Sequence, residues 1–155
     1  MAEIHEYPMT VRWQGGRTGG GSVVAERSGV EKPLSVPPEF GGPGEGTNPE
    51  ELLTGAITGC YSVTLGIVLE ARRIPFVGVK TESKGEVEQN GMNFTYKKVT
   101  LRPTITLADE ATDDQVKLAH DMAHKADLYC IVTNAVRGKV EVAIEPTVLR
   151  AGVPV

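Results

Sequence analysis

From Leu52 to Leu69 the chain is apolar nearly all round a helical wheel, relieved only by Thr, Gly and Ser. Such a segment makes either the central buried helix of a soluble fold or a membrane span. Thr54, Gly55, Thr58, Gly59, Ser62 and Thr64 interrupt the run and no aromatic belt flanks it, which argues for the buried helix. Its start is well marked. Asn48 can cap, Pro49 suits the first helical position, and Glu51 falls where a capping box wants an acid. The helix is expected to run to about Arg73.

Strand patterns lie on both sides of it. Glu6–Trp13 and Ser22–Arg27 read as short strands around a Gly-rich turn at 15–21, followed by a Pro- and Gly-rich ordered loop, Lys32–Thr47. After Pro75 the period shortens. Val77–Gln89 and Met92–Leu107 read as a long hairpin turning at Asn90-Gly91. Phe94 and Tyr96 are out of phase with Val99, Leu101, Ile105 and Leu107, so a bulge is expected near Lys97-Lys98. Thr112 to Gln115 forms a capping box for a helix reaching about Leu128, with Val116, Ala119, Met122, Ala123 and Ala126 as its apolar stripe. Lys139–Ile144 reads as a last strand. The sum is an α+β fold. At 155 residues, one domain spanning 1–155 can bury a core without staples.

A net charge of −4 argues against a nucleic-acid partner. The opening Met-Ala-Glu-Ile-His-Glu-Tyr shows no secretory signal, and two cysteines are too few for a secreted disulfide framework. The expected setting is therefore a reducing cytoplasm, away from membranes, where a Cys-Cys bond would be transient and functional.

Cys60 and Cys130 are then either inert core thiols or a nucleophile and its resolving partner. A nucleophilic sulfur must be a thiolate. Cys60 sits too far inside its helix for the dipole to ionise it, and burial alone would oppose ionisation. A cation is needed. Arg17 in the Gly-rich turn is the best candidate; Arg12, Arg27, Arg72, Arg73, Arg102 and Arg137 are the alternatives.

Other motifs weigh less. His120-Asp121-Met122-Ala123-His124 mimics a zinc-protease helix, but it carries Asp for the usual Glu, and His5 gives no signal for a third ligand. Gly41–Thr47 resembles a phosphate cradle but lacks the lysine and carries Glu45.

Three stretches resemble the osmotically inducible and organic-hydroperoxide-resistance (OsmC/Ohr) family of thiol peroxidases. They are Gly15-Gly16-Arg17-x-Gly19; the series Leu34-Ser35-x-Pro37, Phe40-Gly41-Gly42, Gly46-Thr47-Asn48-Pro49-Glu50-x-Leu52 and Gly59-Cys60; and Cys130-x-x-Thr133-Asn134-Ala135-x-Arg137-Gly138. The first and last lean towards the organic-hydroperoxide branch. The resemblance implies an OsmC-like fold, antiparallel sheets packed on the central helix, in an intertwined homodimer. It implies Cys60 as peroxidatic thiolate, Cys130 as resolving thiol, Arg17 as the thiolate's and peroxide's cation, and Glu50 as the carboxylate holding Arg17. Substrates would be alkyl or fatty-acid hydroperoxides and the reductant a dithiol such as a lipoyl group, with no metal, flavin or haem required. Leu53, Ile57 and Tyr61 would supply an apolar rim for the organic tail. The alternative is a non-catalytic binder of apolar ligands on the same fold.

Two points strain this scheme. Glu50 and Cys60 lie about 15 Å apart along a straight helix, so either the helix bends near Gly55 or a second subunit completes the site. Ile131 stands where the family usually has proline after the second cysteine, removing a backbone restraint.

Overall fold

The computed structural model describes residues 2–155. The chain forms two compact units, one ending at Leu52 and one from Leu53 to Val155.

The first unit is built on a three-stranded antiparallel sheet, β1 (Met9–Gln14), β2 (Gly20–Ala25) and β3 (Val30–Leu34), in that order. The third strand was not expected, because Pro33 interrupts its pattern. Proline is tolerated there because β3 is an edge. Glycine at 21 is obligatory, since a Cβ would fall 1.8 Å from the Arg12 carbonyl oxygen across the ladder. Beyond β3 the chain is an ordered loop, as its composition suggests. Ser35 N–H donates to the Thr47 carbonyl at 3.0 Å and Thr47 N–H to that of Pro33 at 2.9 Å.

Helix α1 (Pro49–Ala71) begins at the end of this unit and continues into the next. Asn48 caps it, its Oδ1 accepting from Glu51 N–H at 2.8 Å. The Glu51 carboxylate accepts from the Thr47 hydroxyl at 3.0 Å. The helix ends two residues before the expected Arg73, which instead takes a left-handed conformation at φ 57°. Ile74 N–H donates back to the Leu69 carbonyl and Arg73 N–H to that of Glu70. These two bonds make the Schellman ending, with arginine where glycine is usual.

The second unit hangs on a sheet of mixed direction, a departure from the antiparallel expectation. Strand β4 (Phe76–Asn90) pairs antiparallel with β5 (Asn93–Leu107). On its other side β5 pairs in parallel with β6 (Glu141–Ile144) and β7 (Thr147–Arg150). A short β8 (Val153–Pro154) folds back on β7. The bulge lies where the phase change placed it: Lys98 faces Glu86 and Tyr96 faces Val87, leaving Lys97 unpaired. The hairpin turn is displaced by one residue. Asn90 pairs with Asn93, so Gly91 and Met92 form the loop, and Gly91 supplies the positive φ (64°) at its first position.

Helix α2 (Asp113–Lys125) carries both halves of the Thr112–Gln115 capping box. It stops short of Leu128 and gives way to a 3₁₀ turn, Ala126–Tyr129, then to α3 (Ile131–Val136). The core lies between α1, β5 and α2. Ile57, Tyr61, Leu65 and Leu69 of α1 meet Val99, Leu101, Ile105 and Leu107 of β5 and the predicted stripe of α2. Beside this stripe α1 meets the hairpin through hydroxyl pairs: Thr54 with Tyr96 (2.6 Å), Thr58 with Ser83 and Ser62 with Thr81 (2.7 Å each). Burial of α1 is one-sided within the single chain. Val63 and Ile67 are 64% and 59% exposed.

Candidate active site

Cys60 projects from the middle of α1 and is half-buried; Cys130 is fully buried between the 3₁₀ turn and α3. The fold brings the two cysteines near each other, close enough for the Cys60 side chain to act on the Cys130 thiol. Cys130 is also the N-cap of α3, with extended backbone (φ −83°, ψ 120°), and its sulfur accepts from Thr133 N–H at 3.4 Å. Burial pushes the Cys130 thiol up. Hydrogen bonds from Cys60, from the Thr133 side chain and from the Thr133 and Val132 backbone outweigh it, and the net direction is down.

A polar clamp surrounds Cys130. Arg137 donates from Nε (3.2 Å) and a terminal nitrogen (2.9 Å) to Asn134 Oδ1. The same nitrogen reaches the Asp127 carbonyl at 3.1 Å and its carboxylate at 3.6 Å. Asn134 donates to the Leu128 carbonyl at 3.2 Å, and the Thr133 hydroxyl to that of Asp127 at 2.6 Å. Arg137 entered the sequence reading only as one of several alternative cations. Asp127 was not singled out, because its contacts depend on a turn whose path the pattern did not reveal.

Arg17 and Glu50 lie in the first unit. The Arg17 guanidinium donates to the Phe40 carbonyl. Gly41, at φ 83°, makes room for it; a Cβ there would sit 3.0 Å from Arg17 Cδ. Glu50 lines an open cavity of about 330 Å³ with Trp13, Phe40 and other apolar side chains such as Val11, Leu34 and Val36. Arg17 and Glu50 thus both border Phe40, while Cys60 and Cys130 share the second unit.

The expected apolar rim needs correction. Ile57 and Tyr61 are fully buried core residues, and the Tyr61 hydroxyl donates to the Ala123 carbonyl at 2.6 Å. Leu53 is partly buried against the same core. The apolar cavity that does exist is lined by the first unit's strands and loop, which alternation alone did not mark as a site. His120 Nε2 lies 3.1 Å from the Val155 carbonyl oxygen.

Residues 42–145 match a family model described as OsmC-like protein. The chain belongs to the OsmC-like family. It is 38% identical over 152 residues to the uncharacterized protein YmaD of Bacillus subtilis (strain 168), covering 98% of this chain and 99% of that one. It is 30% identical over 131 residues to the organic hydroperoxide resistance protein of Xanthomonas axonopodis pv. citri (strain 306), covering 82% and 87%. Among solved structures, an organic hydroperoxide resistance protein from Elizabethkingia anophelis, with thiocyanate bound, superposes with a TM-score of 0.75 at 25% identity. That likeness covers 97% of this chain and 99% of the other. The α+β architecture of sheets and one long helix is the OsmC-like fold.

Proposed function

We propose that this OsmC-like protein is a two-cysteine thiol peroxidase that reduces organic hydroperoxides to alcohols. The nearness of Cys60 on α1 to Cys130 at the start of α3 carries the reading, because two neighbouring thiols can exchange a proton and then form a bond. Exposure supports these roles: half-buried Cys60 is open to a peroxide, whereas Cys130 is fully buried.

The cycle has three steps. The Cys60 thiolate attacks the distal peroxide oxygen, the O–O bond breaks, and the alkoxide takes a proton and leaves as alcohol. The Cys60 sulfenic acid then reacts with Cys130; an S–S bond forms, the S–O bond breaks, and water leaves with the Cys130 proton. Finally an external dithiol, such as a lipoyl group, reduces the disulfide by exchange and becomes a cyclic disulfide itself. Arg17, as the family resemblance implies, stabilises the thiolate and receives the peroxide, with Glu50 orienting it. The cavity beside Glu50 suits an alkyl or fatty-acid tail. A second copy of the chain covering Val63 and Ile67 would make the homodimer that the resemblance implies, and a reducing cytoplasm would keep the resting thiols free.

The test is a thiol count on reduced protein treated with tert-butyl hydroperoxide. Loss of both thiols, reversed by a dithiol and abolished by Cys60→Ser, is the expected result. Two unreactive thiols would instead favour a non-catalytic binder of apolar ligands.

A further inference from the structure

We propose that Arg137 is a positioning residue for the resolving step: it holds the turn from Asp127 to Asn134 so that Cys130 stays within reach of Cys60. The proposal rests on the two-cysteine reading above. It stands on the geometry of the turn. Cys130 sits at the junction of a four-residue 3₁₀ turn and the six-residue α3. Neither element is long enough to persist by its own backbone bonds. Ile131, the first residue of α3, is 82% exposed, so its side chain does little to anchor the turn.

Arg137 adds a second fastening beside the bond from the Thr133 hydroxyl to the Asp127 carbonyl. Its guanidinium spans the turn, bonded on one side to the Asp127 carbonyl and on the other to the Asn134 side chain, which in turn holds the Leu128 carbonyl. The planar fork suits this double hold better than a lysine ammonium. The N–H of Thr133 that donates to the Cys130 sulfur belongs to the same fastened segment. With the Arg137 fastening cut, the turn keeps the Thr133 bond across it, but the sulfur gains room to drift from the line of attack on the Cys60 S–O bond. Cys60 itself is carried by α1 and does not depend on the turn. The first oxidation should therefore be spared and the second step slowed.

The experiment follows one turnover of reduced full-length protein mixed with tert-butyl hydroperoxide. Sulfenic acid is trapped with dimedone and disulfide is counted by mass spectrometry. Arg137→Ala should oxidise Cys60 at the wild-type rate but form the disulfide about tenfold more slowly, with more dimedone adduct and more sulfinic acid. Arg137→Lys, which keeps the charge and loses the fork, should show the same split. Asn134→Ala, which removes one anchor, is the second test if Arg137→Ala does not fold. Disulfide formation at the wild-type rate in the folded variants would overturn the positioning role and leave the peroxidase reading standing. Failure of the wild-type protein to form any sulfenic acid would overturn both.

Discussion

Tyr61 adjoins Cys60 in the chain, and a phenol beside a reactive sulfur invites a role as acid catalyst. The structure assigns it to the core instead, and Tyr61→Phe separates the two. The ring is fully buried and its hydroxyl donates to the Ala123 carbonyl at 2.6 Å. Phenylalanine keeps the ring packing and deletes the bond. The lost bond is worth about 1 kcal/mol, and leaving a buried carbonyl short of a donor adds about 1 kcal/mol more. A loss of about 2 kcal/mol lowers the midpoint of thermal unfolding by about 4–8 °C in a chain of this size.

The pH dependence carries a second signature. Burial, then the negative charge of Asp127, pushes Tyr61 well above its ordinary value of 10.0. The folded state therefore keeps a proton that the unfolded chain releases at high pH. This contribution is complete below about pH 10 and shrinks as pH rises past it. The wild type should lose stability there, and the phenylalanine variant should show a flatter alkaline limb. Urea unfolding from pH 7 to 11 measures both. Hydroperoxide turnover at pH 7 should stay within about twofold of wild type, since no proton-transfer factor of 10²–10⁴ is removed. Unchanged stability with a hundredfold loss of turnover would refute the core assignment.

Cys130→Ser should allow one oxidation of Cys60 and then over-oxidation to sulfinic acid, seen as a mass gain of two oxygens; normal cycling with a dithiol would remove Cys130 from the mechanism. Arg73→Gly relieves the left-handed backbone at the end of α1 and should raise stability by up to about 1 kcal/mol in chemical denaturation, whereas a clear loss would contradict the helix ending. At Gly42 a Cβ would lie 2.0 Å from the Val36 carbonyl oxygen. Gly42→Ala should cost about 1–3 kcal/mol, read as a lowered thermal midpoint, and a neutral result would mean that the loop yields.

What could be read from the residues depended on how local the controlling interaction is. The Thr112–Gln115 capping box, the α2 stripe and the bulge at Lys97 rest on spacing within a few residues, and the structure shows them. Strand β3 was hidden because Pro33 breaks its pattern, although an edge tolerates it. The parallel pairing of β6 and β7 with β5 joins segments about forty residues apart and leaves no local mark. The α1 sequence is apolar on every side, so it revealed a helix but not its phase; hence Ile57 and Tyr61 were placed at a rim rather than in the core. The cysteine pair was legible through its flanks. The work of Arg137 was not, because its partners are a backbone carbonyl and an amide that only the folded turn assembles.

The placement of β5 has a consequence for synthesis. One edge of that strand is satisfied early, by the hairpin that precedes it. The other waits for residues 141–150, which are made about forty residues later. A nascent chain that has made α2 but not yet β6 bares a row of unpaired peptide groups beside Val99, Leu101 and Ile105, a template for foreign strands. Stalling or truncation in that interval should yield insoluble product, and a chaperone that shelters the open edge should matter more here than one acting on the finished fold.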